Sequence, residues 1–297
     1  MEEKKRYCSN CGVELTQEAI FCMHCGARDA FLDVKVEEER HSKRNLTLII
    51  TLIFLILSMG LNAYFFTQIN TLETWRLGIR GEINIRFGWG TDCQMFVTPD
   101  DPLVRNTVYS ITGRWGAEVG VNERWEDYKK LYDWVRNNIE SNYDSPLPII
   151  PNIGGALSWV SEFWRFPNET INDGCGDCED MALLLASMIL CYTDESYACW
   201  VIEWTASSAH MAVALPVSGE KLAILDPAGN FYTRTFLGSL TSKDTSTAIE
   251  EWFQHWSEYP DIYVSMIFSN TIYKTFSDTE EFLLWSNTQY SEVSFKN

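Results

Sequence analysis

The sequence predicts an α+β domain, carried behind one long apolar helix and a small cysteine-held module. Three observations point there. A segment apolar on every helical face, residues 180–190, is followed by apolar runs of strand length. Residues 46–66 carry no charge, and two C-x2-C pairs stand within the first 25 residues. The chain has 297 residues, enough for one large or two ordinary domains with a proper core. With 46% hydrophobic and 14% aromatic residues it is too apolar for a disordered chain. A formal charge of −18 argues against nucleic-acid binding, because Lys and Arg supply the phosphate affinity. The acidity is uneven: residues 1–45 hold eight basic and nine acidic side chains, and residues 67–297 hold 15 and 32.

The first module, residues 1–28, is defined by Cys8 and Cys11, then ten residues on by Cys22 and Cys25. Each pair wraps a turn around one ion, with Gly12 and Gly26 easing the backbone just after the second thiolate. Four thiolates make the closed tetrahedral shell of structural Zn2+. So few residues bury too little apolar surface to fold alone, so the metal supplies most of the stability. A pair of disulfides is the alternative, which a reducing compartment disfavours. His24 lies inside the second pair, but four cysteines already complete the shell. The segment resembles the zinc-ribbon family, which names a scaffold and not an activity. Residues 29–45 read as a charged linker.

Residues 46–66, LTLIITLIFLILSMGLNAYFF, form a helix of about 30 Å, the thickness of a bilayer's hydrocarbon core. A buried core helix seldom runs this far apolar all round, and 45 preceding residues argue against a cleaved signal peptide. A single membrane span is expected. Lys35, Arg40, Lys43 and Arg44 precede it closely, against Arg76 and Arg80 after it. This bias puts the N-terminus in the cytoplasm and the acidic C-terminal domain outside the cell membrane.

Residues 67–99 form an approach segment, in which 81–90 and 93–99 read as short strands. The domain proper is placed at 100–297. A helix is expected after Asp101-Pro102, ending at Gly113. Another spans 125–139, with Leu131, Trp134, Val135 and Ile139 at helical spacing. Three prolines and two glycines make 145–155 a loop. After the apolar helix come strands at 199–204, 210–217 and 221–226, and a further one from Asp261. Helix first, then an antiparallel run of strands, is the α+β signature.

The chemistry concentrates in DGCGDCEDMALLLASMIL. Cys178 stands at the first turn of the apolar helix, where unpaired N–H groups and the positive dipole end favour thiolate. Gly174 and Gly176 let the chain turn sharply before it. A thiolate nucleophile needs a base, and the base an orienting partner. Of the four histidines, His24 is in the ribbon, His41 in the linker, and His255 on the polar side of a helix. His210 opens a strand. Asp226 ends the next strand, where it can fix the imidazole tautomer. Individually, a buried cysteine is usually packing and a lone histidine usually surface. The order Cys, His, Asp, each on a suitable element, makes the catalytic reading the stronger one.

GDCEDMALLLASMIL, then HMAVAL, then LAILDPAGN resemble the transglutaminase-like superfamily of papain-type cysteine enzymes, in its bacterial and archaeal branch. FPNETINDG and WVRNNIESNYDS extend the likeness over roughly residues 100–290. The resemblance implies a Cys helix packed on an antiparallel sheet that carries His and Asp. It makes Cys178 the nucleophile, His210 the base and Asp226 the third member of a triad. Many members place an aromatic soon after the His, as His-Ala-Trp, whereas this chain has His210-Met211-Ala212.

Several side features remain open. Glu179 and Asp180 read as first-turn acids pointing in different directions rather than a working carboxylate pair. Cys175 and Cys178 make a further C-x2-C, but no thioredoxin-like βαβ pattern surrounds it. Cys93, Cys175, Cys191 and Cys199 form an even set with three possible disulfide pairings, Cys191–Cys199 being the shortest. Asn168-Glu-Thr170 is a glycosylation sequon.

Two function classes follow. One is a membrane-anchored thiol enzyme: a cysteine peptidase or amidase, or a cross-linking acyltransferase, whose catalytic site needs no cofactor. Its substrate would be an extracytoplasmic peptide or protein, neutral or basic to suit the acidic domain. The other is an inactive binding or scaffold module. In that case the ribbon is a cytoplasmic docking point for a partner protein.

Overall fold

In a computed structural model, residues 5–28, 30–88, 90–151 and 155–293 are described. The chain divides into two compact units, Met1–Leu77 and Gly78–Asn297. In the first, strands β1 (Arg6–Tyr7) and β2 (Glu14–Leu15) pair antiparallel beside the cysteines. Helix α1 (Ala30–Asn84) follows, 55 residues long. The segment expected as a linker is therefore helical from residue 30 and continuous with the apolar stretch; residue 29 lies outside the described residues. Leu48, Phe54, Leu57 and Phe66 are exposed on α1, which a soluble core helix would have buried. The stretch Lys43–Phe87 is long and apolar enough to cross a membrane.

The second unit begins with the end of α1, where Arg80 Nε and Asn84 Nδ2 each donate to the Ile150 carbonyl at 3.0 Å. The two strands expected in 81–99 do not form. The last turn of α1 runs into 3-10 turns at Ile85–Phe87 and Gly90–Phe96. Phe87, Cys93 and Phe96 are buried there. A short apolar run takes whichever backbone lets it pack, and here packing outweighs strand propensity. Residue 89 lies outside the described residues.

Helix α2 (Pro102–Thr112) forms where its local signals put it. Asp101 Oδ1 accepts from the Leu103 and Val104 N–H groups, Pro102 takes the first helical position, and Gly113 closes the helix. Helix α3 (Val121–Asn138) presents Tyr128, Leu131, Tyr132 and Val135 to the core. Strand β3 (Glu140–Ser141) comes next. The expected loop at 145–155 contains β4 (Leu147–Ile149), paired antiparallel with β5 (Ser158–Val160); residues 152–154 lie outside the described residues. Helix α4 (Pro167–Asp173) leads to β6 (Cys175–Gly176), which pairs parallel with β3, and then to α5 (Cys178–Tyr192).

The remaining strands are β7 (Trp200–Thr205), β8 (Ala209–Val217), β9 (Lys221–Asp226), β10 (Phe231–Tyr232) and β11 (Lys243–Asp244). Helix α6 (Thr245–His255) precedes β12 (Tyr263–Phe268) and β13 (Tyr273–Thr275), and α7 (Thr279–Val293) follows them. The antiparallel sheet has the order β10-β9-β8-β7-β12-β13, with β11 also on β9. Alternation along the strands makes two cores. Val201, Met211, Val213, Leu215, Ala223 and Leu225 pack with α5. Trp200, Ile202, Trp204, Ala212, Ala214 and Ile224 pack with α6 and Phe282 of α7. A helix buried all round, as α5 is from Glu179 to Tyr192, gives its first turn a fixed place against β8. Each fully buried Leu in it contributes about 1.5–3 kcal/mol.

Candidate active site and metal centre

Helix α4 ends at Gly174, whose left-handed backbone (φ 65°) lets its N–H donate to Thr170. The chain then passes through β6 to Asp177 and enters α5 at Cys178. Gly176 is required by packing, since a Cβ there would stand 2.6 Å from Asp180 Cβ. The Cys178 sulfur faces the backbone N–H of Met211, and its thiol donates to Glu179 Oε2 at 3.4 Å. Burial, then the Glu179 carboxylate, push this thiol well above the ordinary cysteine value, against the pull of the Met211 N–H. The thiolate expected from the helix dipole is thus outweighed by burial and a neighbouring acid.

His210 and Asp226 are brought together. His210 Nε2 lies 2.9 Å from Asp226 Oδ2. The same oxygen accepts from Trp252 Nε1 at 2.9 Å and Trp256 Nε1 at 3.1 Å, while Oδ1 accepts from the Gly229 N–H at 2.7 Å. A carboxylate that only accepts makes Nε2 the donor and leaves Nδ1 with the lone pair of a base. The imidazole is 7% exposed and lies beneath Trp256, ring centroids 4.3 Å apart. Gly229 must lack a side chain, because a Cβ there would be 2.4 Å from Asp226 Oδ2. Alternation puts His210 on the α6 side of β8, with Ala212 and Ala214. Among the described residues Cys178 and His210 share no hydrogen bond; the link between them is the next residue along β8, Met211, at the sulfur.

Sequence reasoning did not single out Trp252 and Trp256. They stand four apart, Trp252 in the last turn of α6 and Trp256 just past its end, a spacing that reads as core packing, and only their indole N–H groups reveal the second role. Glu179 and Asp180 point apart as expected. Both are buried, however, rather than on a solvated first turn, with Asp180 bonded to the Arg165 N–H and guanidinium. His255 Nε2 meets the Gly229 carbonyl at 2.8 Å. The sequon is occupied internally: Asn168 Nδ2 donates to Asp101 Oδ2 at 3.0 Å and Thr170 is buried. Cys93, Cys175, Cys191 and Cys199 are all free thiols, so none of the pairings is formed.

In the first unit the sulfurs of Cys8, Cys11, Cys22 and Cys25 gather within 4.8 Å of one another. Cys8–Cys25 and Cys11–Cys22 are 3.6 and 3.4 Å apart. Four sulfurs about 2.3 Å from one zinc ion would stand about 3.8 Å apart, so the set fits. Gly12 and Gly26 (φ 73° and 72°) donate back to Cys8 and Cys22 at 2.8 Å, two equivalent turns. His24 is not among the clustered groups.

Residues 117–250 match a transglutaminase-like domain family, and residues 7–28 match a zinc-ribbon domain. Among solved structures the chain is similar to LapG of Legionella pneumophila, at 16% identity and a TM-score of 0.35, covering 64% of this chain and 84% of that one. The calcium-bound form of the same protein gives 16%, 0.33, 62% and 84%. A candidate protease from Parabacteroides distasonis gives 14% identity and a TM-score of 0.30, over 52% of this chain and 29% of that one. No curated protein matches the chain.

Proposed function

Starting from a chain that carries a transglutaminase-like domain and a zinc-ribbon domain, we propose that it is a membrane-anchored cysteine peptidase or amidase. Cys178 is the nucleophile, His210 the base and Asp226 the orienting acid. The observation that carries this reading is the carboxylate of Asp226. It is held by two indoles and a backbone N–H, and it takes His210 Nε2 at 2.9 Å. That arrangement fixes the tautomer and stabilises the imidazolium formed in the reaction.

In the proposed cycle His210 Nδ1 removes the Cys178 proton, and Sγ attacks the carbonyl carbon of a peptide or side-chain amide. His210 returns the proton to the amine nitrogen as the C–N bond breaks, leaving a thioester on Cys178. Water, deprotonated by Nδ1, attacks the thioester; the C–S bond breaks, the acid leaves, and the thiol recovers its proton. The Cys178 N–H at the start of α5 is one donor for the oxyanion. An amine in place of water would give a cross-link.

The apolar stretch 46–66 would be the single span, with the ribbon (1–28) and charged segment (29–45) cytoplasmic. The approach segment (67–99) and catalytic domain (100–297) would be extracytoplasmic. Four thiolates of the ribbon would hold structural zinc, giving a cytoplasmic protein a folded docking point.

One observation favours a second reading, a silent binding module: the Cys178 thiol bonds to Glu179 and not to His210. The test is to treat the full chain in detergent with peptide amides and quench, looking for acylated Cys178 by mass spectrometry. A thioester on Cys178, absent in His210→Ala, supports the enzyme. Cross-linked amine products would move it to the acyltransferase branch. No adduct with any peptide supports the silent module.

A further inference from the structure

The apolar stretch of α1 is not uniform around its circumference. Between residues 46 and 66 the polar side chains are Thr47, Thr51, Ser58 and Asn62, with Tyr64 an aromatic suited to a bilayer interface. The four are spaced four, seven and four apart, which at 3.6 residues per turn gathers them within about 60° of one face. The Thr47 and Thr51 hydroxyls donate to the carbonyls four residues back, those of Lys43 and Thr47, both at 2.9 Å. Such back-bonding makes a hydroxyl tolerable in lipid. Asn62 is different. Its Nδ2 donates to the Ser58 carbonyl at 2.8 Å and to Ser58 Oγ at 3.4 Å, while among the described residues its Oδ1 has no partner. Hydrocarbon offers that oxygen no donor.

Past the span the same line changes character. Steps of three, four and three from Asn62 reach Phe65, Ile69 and Leu72, each more than half exposed. In the bilayer the misplaced side chains are polar; beyond it they are apolar. Both sets lie on one line of heptad spacing. A surface that suits neither solvent is one that another helix covers. The line closes at Arg76, which pairs with Glu73 at 3.5 Å.

Three features identify the occupant as a second copy of this chain. Residues 45–72 carry no Asp, Glu, Lys or Arg, so two identical faces meet without like-charge repulsion. A single span sets every copy at one depth and in one orientation, so each residue meets its equivalent. An Asn amide holds both donors and an acceptor and so pairs with its own copy, as a buried Asn does in fixing a two-stranded register.

We propose that α1 pairs with α1 of a second copy in a parallel, left-handed contact along Thr47, Thr51, Ser58, Asn62, Ile69 and Leu72. The pairing rests on the membrane-anchored reading above and is independent of the acyl-transfer chemistry.

The test uses the full chain in density-matched detergent, where sedimentation equilibrium gives the monomer–dimer constant, alongside alkaline carbonate extraction of membranes that hold it. The expected result is a dimer that the membrane retains. Asn62→Leu should weaken the dimer about tenfold, and adding Ile69→Ser should weaken it further. Asn62→Leu makes the span more apolar, so its loss of pairing is not lost insertion. Ile56→Ala, on the opposite face, should associate as wild type. A monomeric wild type that carbonate leaves in the membrane would overturn the pairing and leave the anchor standing. Release by carbonate would overturn the anchor and the pairing together. A dimer unchanged in Asn62→Leu and in the double variant would overturn the proposal equally.

Discussion

The Cys178 thiol donates to Glu179 Oε2 at 3.4 Å, and not to His210, whose Nε2 is taken by Asp226 at 2.9 Å. A buried acid therefore accepts the proton that His210 removes in the proposed cycle. The imidazole of His210 is held from its far side by Asp226.

Removing that acid should loosen the thiol. Glu179→Gln deletes the second-largest influence raising Cys178 and leaves burial, the largest. At neutral pH, iodoacetamide should label Cys178 severalfold faster than in wild type, because a larger share of the thiol is thiolate. While the thiol stays mostly protonated, both rates should climb about tenfold per pH unit. Peptide mapping after timed quenching measures this.

In the proposed cycle the indoles that hold Asp226 act through His210, as positioning residues. Trp256→Phe keeps the ring over the imidazole and removes one N–H from Asp226. A hydrogen bond to a charged group is worth about 1.5–3 kcal/mol. Hydrolysis should fall about tenfold in kcat with KM unchanged, and the acidic limb of the pH profile should move. A variant that lost stability alone would keep its pH profile.

Far from the site, Asp127 locks α3 to the rest of the domain. Burial pushes its carboxyl up, but bonds from Arg114, Lys130 and Tyr192 outweigh burial and hold it below the usual range. A depressed value gives stability that is present above the unfolded value of about 3.9 and lost as pH falls through the folded one. Asp127→Asn should cost about 3 kcal/mol at pH 7. The gap from wild type in urea denaturation should narrow steadily below about pH 4.

For the ribbon, Cys22→Ser should remove bound zinc, measured by atomic emission, and leave residues 5–28 sensitive to protease. Peptide hydrolysis by the separate second unit should be unchanged. Chelation of wild type should reproduce both effects.

Much of this was legible in the sequence where local physics decides structure. Asp101, Pro102 and Gly113 bound α2 because capping and the missing proline N–H are local matters. β7, β8 and β9 follow their apolar runs, and α5 its all-round apolarity. His210 and Asp226 met because a tight antiparallel pair leaves few alternatives to their register. Tertiary context hid the rest. Phe87 and Phe96 sit in 3-10 turns because the core claims their rings. Glu179 looks like any first-turn acid until its neighbours bury it, and nothing in the order of residues puts Asp144 beside it.

The central claim is a working thiol–imidazole pair, and the most direct measurement is the alkylation rate of Cys178 against pH, in the full chain and in His210→Ala. Mass spectrometry separates it from Cys93 and Cys191, whose thiols burial pushes up to about 12 and about 11. The expected result is a Cys178 that is alkylated faster in the full chain than in His210→Ala at every pH, because the imidazole takes up its proton. A Cys178 that stays unreactive, or that reacts identically in both proteins, would contradict the enzyme and leave a folded binding module.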